Sequence, residues 1–258
     1  MTELLQALGL SKKFGGVVAL DKLDLAVAAN EILGLIGPNG SGKTTFFNVV
    51  TGIYGPDAGR VLFEGNDITR AAPRTVYNSG ISRTFQRSRL SLPLSIFDNI
   101  MIGNHKRLTQ GLWFNLIRRD RLKSEFEQCY RTARTLLEVF EPRLADRMFE
   151  PAAGLPMIDR RRIEICRALI SEPKLLLLDE PSAGMTLEET TELMNDILQV
   201  RDRKKGLTII IVEHEMAVIE RITDRCVVLN FGRKIAEGPY RQVAADRRVQ
   251  EAYLGVAS

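Results

Sequence analysis

The stretch Gly37-Pro38-Asn39-Gly40-Ser41-Gly42-Lys43-Thr44 decides how the chain is read. Glycines at both ends let the backbone curl with its N–H groups inward, where side chains would block a polyphosphate. Lys43 brings a charge that reaches toward terminal phosphates, and Thr44 a hydroxyl suited to Mg²⁺. Upstream, Glu31-Ile32-Leu33-Gly34-Leu35-Ile36 reads as a buried strand feeding the loop. Downstream, Thr45-Phe46-Phe47-Asn48-Val49-Val50 reads as a helix whose positive end faces the anion. A chance Gly-rich turn lacks that strand-before, helix-after context. The pattern predicts a nucleoside triphosphate site.

The composition narrows the setting. At 258 residues the chain is long enough for a large core, or for a core with a subdomain. Charged residues are 26% and apolar residues 45%, the balance of a folded soluble protein. A net charge of +4 is a mild basic excess, better read as a solvated surface than as a nucleic-acid footprint. Cys129, Cys166 and Cys226 are odd in number and scattered, so neither a disulfide framework nor a metal spacing follows, and a reducing cytoplasm is expected. The N-terminus lacks a signal-peptide pattern and no apolar run spans a bilayer, so any work at a membrane is expected to be peripheral.

Outward from the loop, residues 4–28 alternate apolar runs with turns and predict strands of a small antiparallel sheet. Phe14 reads as a loop aromatic just ahead of the nucleotide strand, where its face can stack on a purine. Arg60 to Gly65 reads as an exposed edge strand, and Ile81 to Gln86 as another strand ending in Gln86. From about 87 to 170 the pattern turns helical and polar-rich, an insertion between halves of the core. Within it, His105 to Lys123 carries Trp113, Phe114 and several basic residues, read as an amphipathic helix packed on its own subdomain. Leu175-Leu176-Leu177-Leu178-Asp179-Glu180 is the second anchor. Four leucines suit a central parallel strand buried on both faces. Two acids at its end are poorly explained by packing, because unpaired buried carboxylates are expensive. Asp179 there can support Mg²⁺, and Glu180 can polarise an attacking water. Thr208 to His214 repeats the scheme, with His214 delivered where parallel sheets bind ligands. Cys226 to Asn230 and Arg233 to Glu237 flank Phe231-Gly232 as a hairpin, before a short helical tail.

Taken together, loop, strand-end glutamine, Asp-Glu strand and strand-end histidine resemble the ATP-binding subunit of ABC transporters, over nearly the whole chain. Phe14-Gly15-Gly16, Arg83-Thr84-Phe85-Gln86, the aromatic-basic insertion after Asn104, Pro181 to Met185, Glu213 to Met216 and the Ala-Tyr-Leu-Gly ending are similar to the longer ATPase subunit of branched-chain amino acid importers. The resemblance implies an α/β fold: a P-loop nucleotide-binding core with a mixed, largely parallel sheet, an antiparallel β subdomain and a helical subdomain. The core would be about 1–86 and 171–258, with the helical part about 87–170. It implies ATP and Mg as cofactors. Phe14 would stack on adenine. Gly37, Asn39, Gly40, Ser41, Gly42, Lys43, Thr44 and Thr45 would cradle the phosphates. Thr44, Gln86 and Asp179 would attend Mg. Glu180 would be the general base, His214 would contact the γ-phosphate, and Gln86 would link the site to the membrane subunit. Ser182 to Met185 would lie at a dimer seam, although Met185 stands where the wider family is usually acidic.

One departure is informative. ABC ATPases work as head-to-tail pairs, a Leu-Ser-Gly-Gly-Gln segment of one subunit capping the ATP of the other. The matching segment here is Leu155-Pro156-Met157-Ile158-Asp159, which has lost the serine hydroxyl and both glycines. Proline suits a helix start, so the fold should survive. Loss of one such anion donor costs about 10²–10³ in rate, roughly 2.7–4 kcal/mol, at comparable sites. The expectation is an asymmetric heterodimer with a second, shorter ATPase subunit, docked on two membrane permease subunits at the cytoplasmic face of a bacterial inner membrane. A periplasmic solute-binding protein would serve the permease, and no nucleic acid is involved. The competing readings are a lipopolysaccharide-export ATPase, normally a homodimer, and a non-transport ABC ATPase, which carries long arms or two cassettes.

Overall fold

The computed structural model describes residues 3–85, 90–104 and 119–254, with backbone only for 119–123. Gln86, Gly255 and residues 105–118 of the aromatic-basic insertion, Trp113 and Phe114 among them, lie outside the described residues. The chain divides into two compact units, one of residues 1–83, 174–181 and 204–258, the other of 84–173 and 182–203.

The first unit is built on two sheets. β1 (Glu3–Phe14) and β2 (Val17–Ala28) form a long antiparallel hairpin, and β4 (Ala58–Phe63) and β5 (Asn66–Asp67) extend it in the order β2-β1-β4-β5. Alternate apolar residues of β1 and β2 (Leu5, Ala7, Leu10; Leu23, Leu25, Val27) are buried, as a sheet with one face on a core requires. β4 is not the edge that its charged start suggests. The tight Glu64-Gly65 turn, both residues at positive φ, folds β5 back outside it.

The second sheet contains β3 (Ile32–Ile36), β6 (Ile81–Arg83), β7 (Leu175–Asp179), β8 (Thr208–Val212), β9 (Arg225–Asn230) and β10 (Arg233–Gly238), in the order β10-β9-β3-β8-β7-β6. All pairs are parallel except the β9–β10 hairpin, which turns through Phe231-Gly232 at φ 45° and 76°. Every residue of β3, β7 and β8 is buried, which is why these strands read as unbroken apolar runs. β6 ends at Arg83, three residues short of the predicted end at Gln86: only Ile81, Ser82 and Arg83 register with β7. The helix α1 (Lys43–Val50) sends Phe46 and Phe47 into a buried cluster shared with Leu5 and Leu23 of one sheet and Leu35, Leu177 and Ile210 of the other.

The second unit is helical: α2 (Pro73–Ser79) belongs to the first unit, and α3 (Ile96–Met101), α4 (Arg119–Phe140), α5 (Pro142–Asp146), α6 (Met157–Leu169) and α7 (Leu187–Arg203) to the second. Ser95 caps α3, its hydroxyl accepting from Asp98 N–H at 3.0 Å. α6 and α7 are fastened by the buried Arg162. Its guanidinium meets Asp196 at 2.9 Å, Glu192 at 2.6 Å and Asp159 at 3.1 Å, with Glu141 at 3.8 Å. Four carboxylates share one cation. Burial pushes the Asp196 carboxyl up to about 6, against the pull of Arg162 and with the repulsion of Glu192 and Glu141. Three short helices complete the first unit: α8 (Met216–Ile222), α9 (Tyr240–Ala244) and α10 (Arg247–Leu254). Among the described residues no helix is long and apolar enough to cross a membrane.

Candidate functional site

The site lies at the carboxyl ends of the parallel strands, the side on which open α/β sheets bind ligands. β3 runs straight into the glycine-rich loop, and α1 begins at Lys43. Gly37 (φ 147°) and Gly42 (φ 109°) hold the two ends of the curl. A Cβ on Gly37 would stand 2.1 Å from the Leu229 carbonyl, and one on Gly42 2.5 Å from the Ala19 carbonyl. Neither position tolerates a side chain. The loop is cross-braced by Ser41 N–H to the Pro38 carbonyl (3.2 Å) and Gly232 N–H to the Ser41 carbonyl (2.9 Å).

Lys43 is buried and donates to the carbonyls of Gly37 (2.7 Å) and Pro38 (3.0 Å). Burial holds its ammonium below the ordinary lysine range, and the nearby Glu180 and Asp179 carboxylates oppose that shift. The amine thus sits folded over the loop, inside the field of the two acids. Gly42 ends the loop as the N-cap of α1 without a side-chain cap, and the first turn holds no acid. Ser41 Oγ is buried with no hydrogen-bond partner among the described residues. These features fit a multiply charged anion: a helix start with open N–H groups, a buried hydroxyl in need of a partner, and a cation already in place.

Asp179 closes β7, its carboxyl raised by burial and held back by a hydrogen bond from Arg83. Glu180 follows at φ 49°, in the left-handed region, with its N–H bonded to the Val212 carbonyl at the end of β8 (2.9 Å). That turn brings Glu180 Oε1 within 2.8 Å of His214 Nε2. Two residues delivered by separate strand ends are therefore in direct contact. For Mg, the donor chemistry is right: Thr44 and Asp179 offer hard oxygen ligands, and such an ion takes the rest of its shell from phosphates and water. When bound, the ion would supply positive charge to offset that of the phosphates. Gln86 lies outside the described residues.

Phe14 is the last residue of β1 rather than a loop residue. Its ring is partly exposed, meets Tyr54 edge-on with centroids 5.2 Å apart, and has the Lys12 ammonium 5.4 Å from its centre. In the helical unit, Pro156 is the N-cap of α6, Met157 is 44% exposed and Ile158 is buried. The proline does begin the helix. Ser182 starts a turn closed by Met185 N–H (3.0 Å), with Gly184 at φ 82°. Sequence reasoning missed Arg83. It was visible only as part of a motif, yet it forms a buried bridge to Asp179 at 2.7 Å.

Residues 20–183 match the family model described as ABC transporter. The chain belongs to that family. Residues 233–258 match a further model, the branched-chain amino acid ATP-binding cassette transporter. Over 98% of both chains this ABC protein is 35% identical to the "High-affinity branched-chain amino acid transport ATP-binding protein LivG" of Escherichia coli (strain K12). It is 34% identical, over 98% of each, to the corresponding protein BraF of Pseudomonas aeruginosa. Among solved structures, an ATP-binding cassette of an ABC transporter in its ADP conformation superposes with a TM-score of 0.84 at 31% identity, over 99% of this chain and 100% of that one. A nucleotide-free ABC cassette gives 0.83 at 31%, over the whole of both chains. The protein is thus an ABC ATPase subunit of the branched-chain amino acid type, with the α/β fold of such cassettes.

Proposed function

We propose that this ABC ATPase drives the uptake of branched-chain or related amino acids through a membrane permease. The observation that carries the reading is the convergence of Lys43, Asp179, Glu180 and His214 at one end of one sheet, with Glu180 and His214 2.8 Å apart. In this reading Phe14 stacks on the adenine, and Gly37 to Thr45 cradle the triphosphate, with Asn39, Gly40, Ser41 and Gly42 lining the curl. Lys43 offsets charge on the β- and γ-phosphates. Thr44 and Asp179 hold Mg, with Gln86 completing the set. Glu180 accepts a proton from water as its oxygen bonds to the γ-phosphorus and the bridging oxygen leaves with ADP. His214 orients Glu180 and the γ-phosphate. Positioning and charge neutralisation supply most of such catalysis.

The same reading assigns residues about 1–86 and 171–258 to the nucleotide core and about 87–170 to the helical part. It places the chain at the cytoplasmic face of the membrane, beside two permease subunits served by a periplasmic binding protein. The degenerate Leu155 to Asp159 segment favours a heterodimer in which a second ATPase subunit caps this chain's ATP, while the site capped from here turns over slowly. The exposed Met157 supports this, because a bulky thioether stands where a close backbone approach would be needed.

In the reconstituted assembly, Lys43→Ala should abolish binding of a fluorescent ATP analogue to this chain and stop transport. Retained turnover would overturn the site. Glu180→Gln here should cost far more ATPase activity than the matching change in the partner subunit. Equal losses would refute the asymmetry.

A further inference from the structure

Arg83 is buried in the nucleotide unit, yet no role in binding or hydrolysis has been given to it. Its guanidinium spans two chain segments. One nitrogen (Nη2) donates to Asp179 Oδ2 at 2.7 Å and the other (Nη1) to Asn48 Oδ1 at 2.7 Å. The plane lies against the Phe47 ring, 5.2 Å from its centre. Side-chain exposure is only 5% for Arg83 and 2% for Asp179. Asn48 belongs to α1, the helix that leaves the phosphate loop, and Asp179 ends β7, the strand paired with β6 in register Arg83↔Leu177. One rigid fork therefore ties the acidic strand end to the phosphate-loop helix.

Stability alone is a poor reason for this arrangement. A buried ion pair adds little net stability over an apolar pair of the same volume. What the fork does supply is orientation, since one planar group with its two donors at a fixed separation holds Asp179 and Asn48 in a set relation that a point charge does not impose. We infer that Arg83 is a positioning residue for the metal-bound nucleotide, fixing the Asp179 carboxylate relative to the helix that begins at Lys43 and Thr44. The inference rests on the reading above, in which Asp179 supports Mg.

The test compares the Mg²⁺ dependence of nucleotide binding in the full chain and in Arg83→Met, Arg83→Lys and Asp179→Asn. A fluorescent ATP analogue is titrated in EDTA and then at rising Mg²⁺. In EDTA, Arg83→Met should bind the nucleotide as the parent does. Its Mg²⁺ midpoint should shift upward by about 10- to 100-fold, the usual effect of removing a partner that orients a metal ligand. Arg83→Lys keeps the buried cation but cannot serve Asp179 and Asn48 together, so its midpoint should also rise, by less. It decides the matter should Arg83→Met not fold. Parental midpoints in the Arg83 variants, beside a shifted one in Asp179→Asn, would overturn the role of Arg83 alone. A parental midpoint in Asp179→Asn would overturn the assignment of Asp179 and this inference with it. A general packing defect would instead weaken binding in EDTA as well, and that result too would refute a positioning role.

Discussion

Glu180 is expected to trade stability for position, and the trade can be measured. Its φ of 49° puts a residue with a Cβ in the left-handed region, immediately after a buried strand. That conformation costs an L-residue about 1–2 kcal/mol. Glycine avoids the cost but loses about 0.5–1 kcal/mol through the freedom it gains when unfolded. The net gain from Glu180→Gly should therefore be about 0.7 kcal/mol, which for a chain of this size raises the melting temperature by about 1.5–3 °C. Glu180→Gln is the reference, because it removes the charge and keeps the strain. Both changes are best made beside His214→Ala, so that loss of the 2.8 Å contact with His214 is common to the pair. The assay is scanning calorimetry without nucleotide, together with steady-state ATPase in the assembled transporter. Made singly, without the His214 change, both variants should lose about 10²–10⁴ in hydrolysis, the range for removing a general base. If Glu180→Gly melts no higher than Glu180→Gln, the strain argument is refuted.

Gly37→Ala should damage the loop through both conformation and collision, since its Cβ would lie 2.1 Å from a backbone carbonyl at φ 147°. Gly40→Ala meets nothing within 4 Å at φ 79°, so it should carry only the conformational cost, about 1–3 kcal/mol, and the gap between the two in melting temperature and nucleotide affinity measures the collision. Asp196, with its carboxyl raised to about 6, binds a proton more tightly folded than unfolded, so its contribution to stability is complete below about pH 4 and is lost as pH rises through 6. Asp196→Asn should flatten that part of the stability–pH curve measured by urea unfolding, and an unchanged slope would contradict the charge crowding around Arg162. Cys129, Cys166 and Cys226 are all buried thiols outside any disulfide, and burial pushes the Cys226 thiol up, so a thiol reagent should label none of them until denaturant is added.

Much of this architecture was legible because the chain obeys simple periodicities. Leu175 to Leu178 and Ile209 to Val212 are unbroken apolar runs, and both lie in central parallel strands buried on each face. Phe231-Gly232 was readable as a turn, and its two positive φ values explain why those residues occur there. What failed was local geometry fixed by distant partners. Phe14 was read as a loop residue because Gly15 and Gly16 follow it, yet pairing with Val17 carries β1 through it. Arg60 to Gly65 looked like an edge because nothing in two residues, Asn66 and Asp67, announces a strand. The Arg83–Asp179 bridge joins residues 96 apart in sequence, and no spacing rule reaches that far. Likewise the Glu180–His214 contact depends on a left-handed turn that glutamate does not advertise.

The margins of the six-stranded sheet have a consequence for how copies meet. At one border stands β6, only three residues long; at the other stands β10, which carries Arg233, Lys234 and Glu237. A brief border strand offers few free backbone groups to a neighbouring molecule, and a charged one repels a partner that tries to zip against it. Concatenation of copies through continuous sheets is therefore discouraged at both flanks. The leucine and isoleucine runs of this sheet thus lie on interior strands, away from either border.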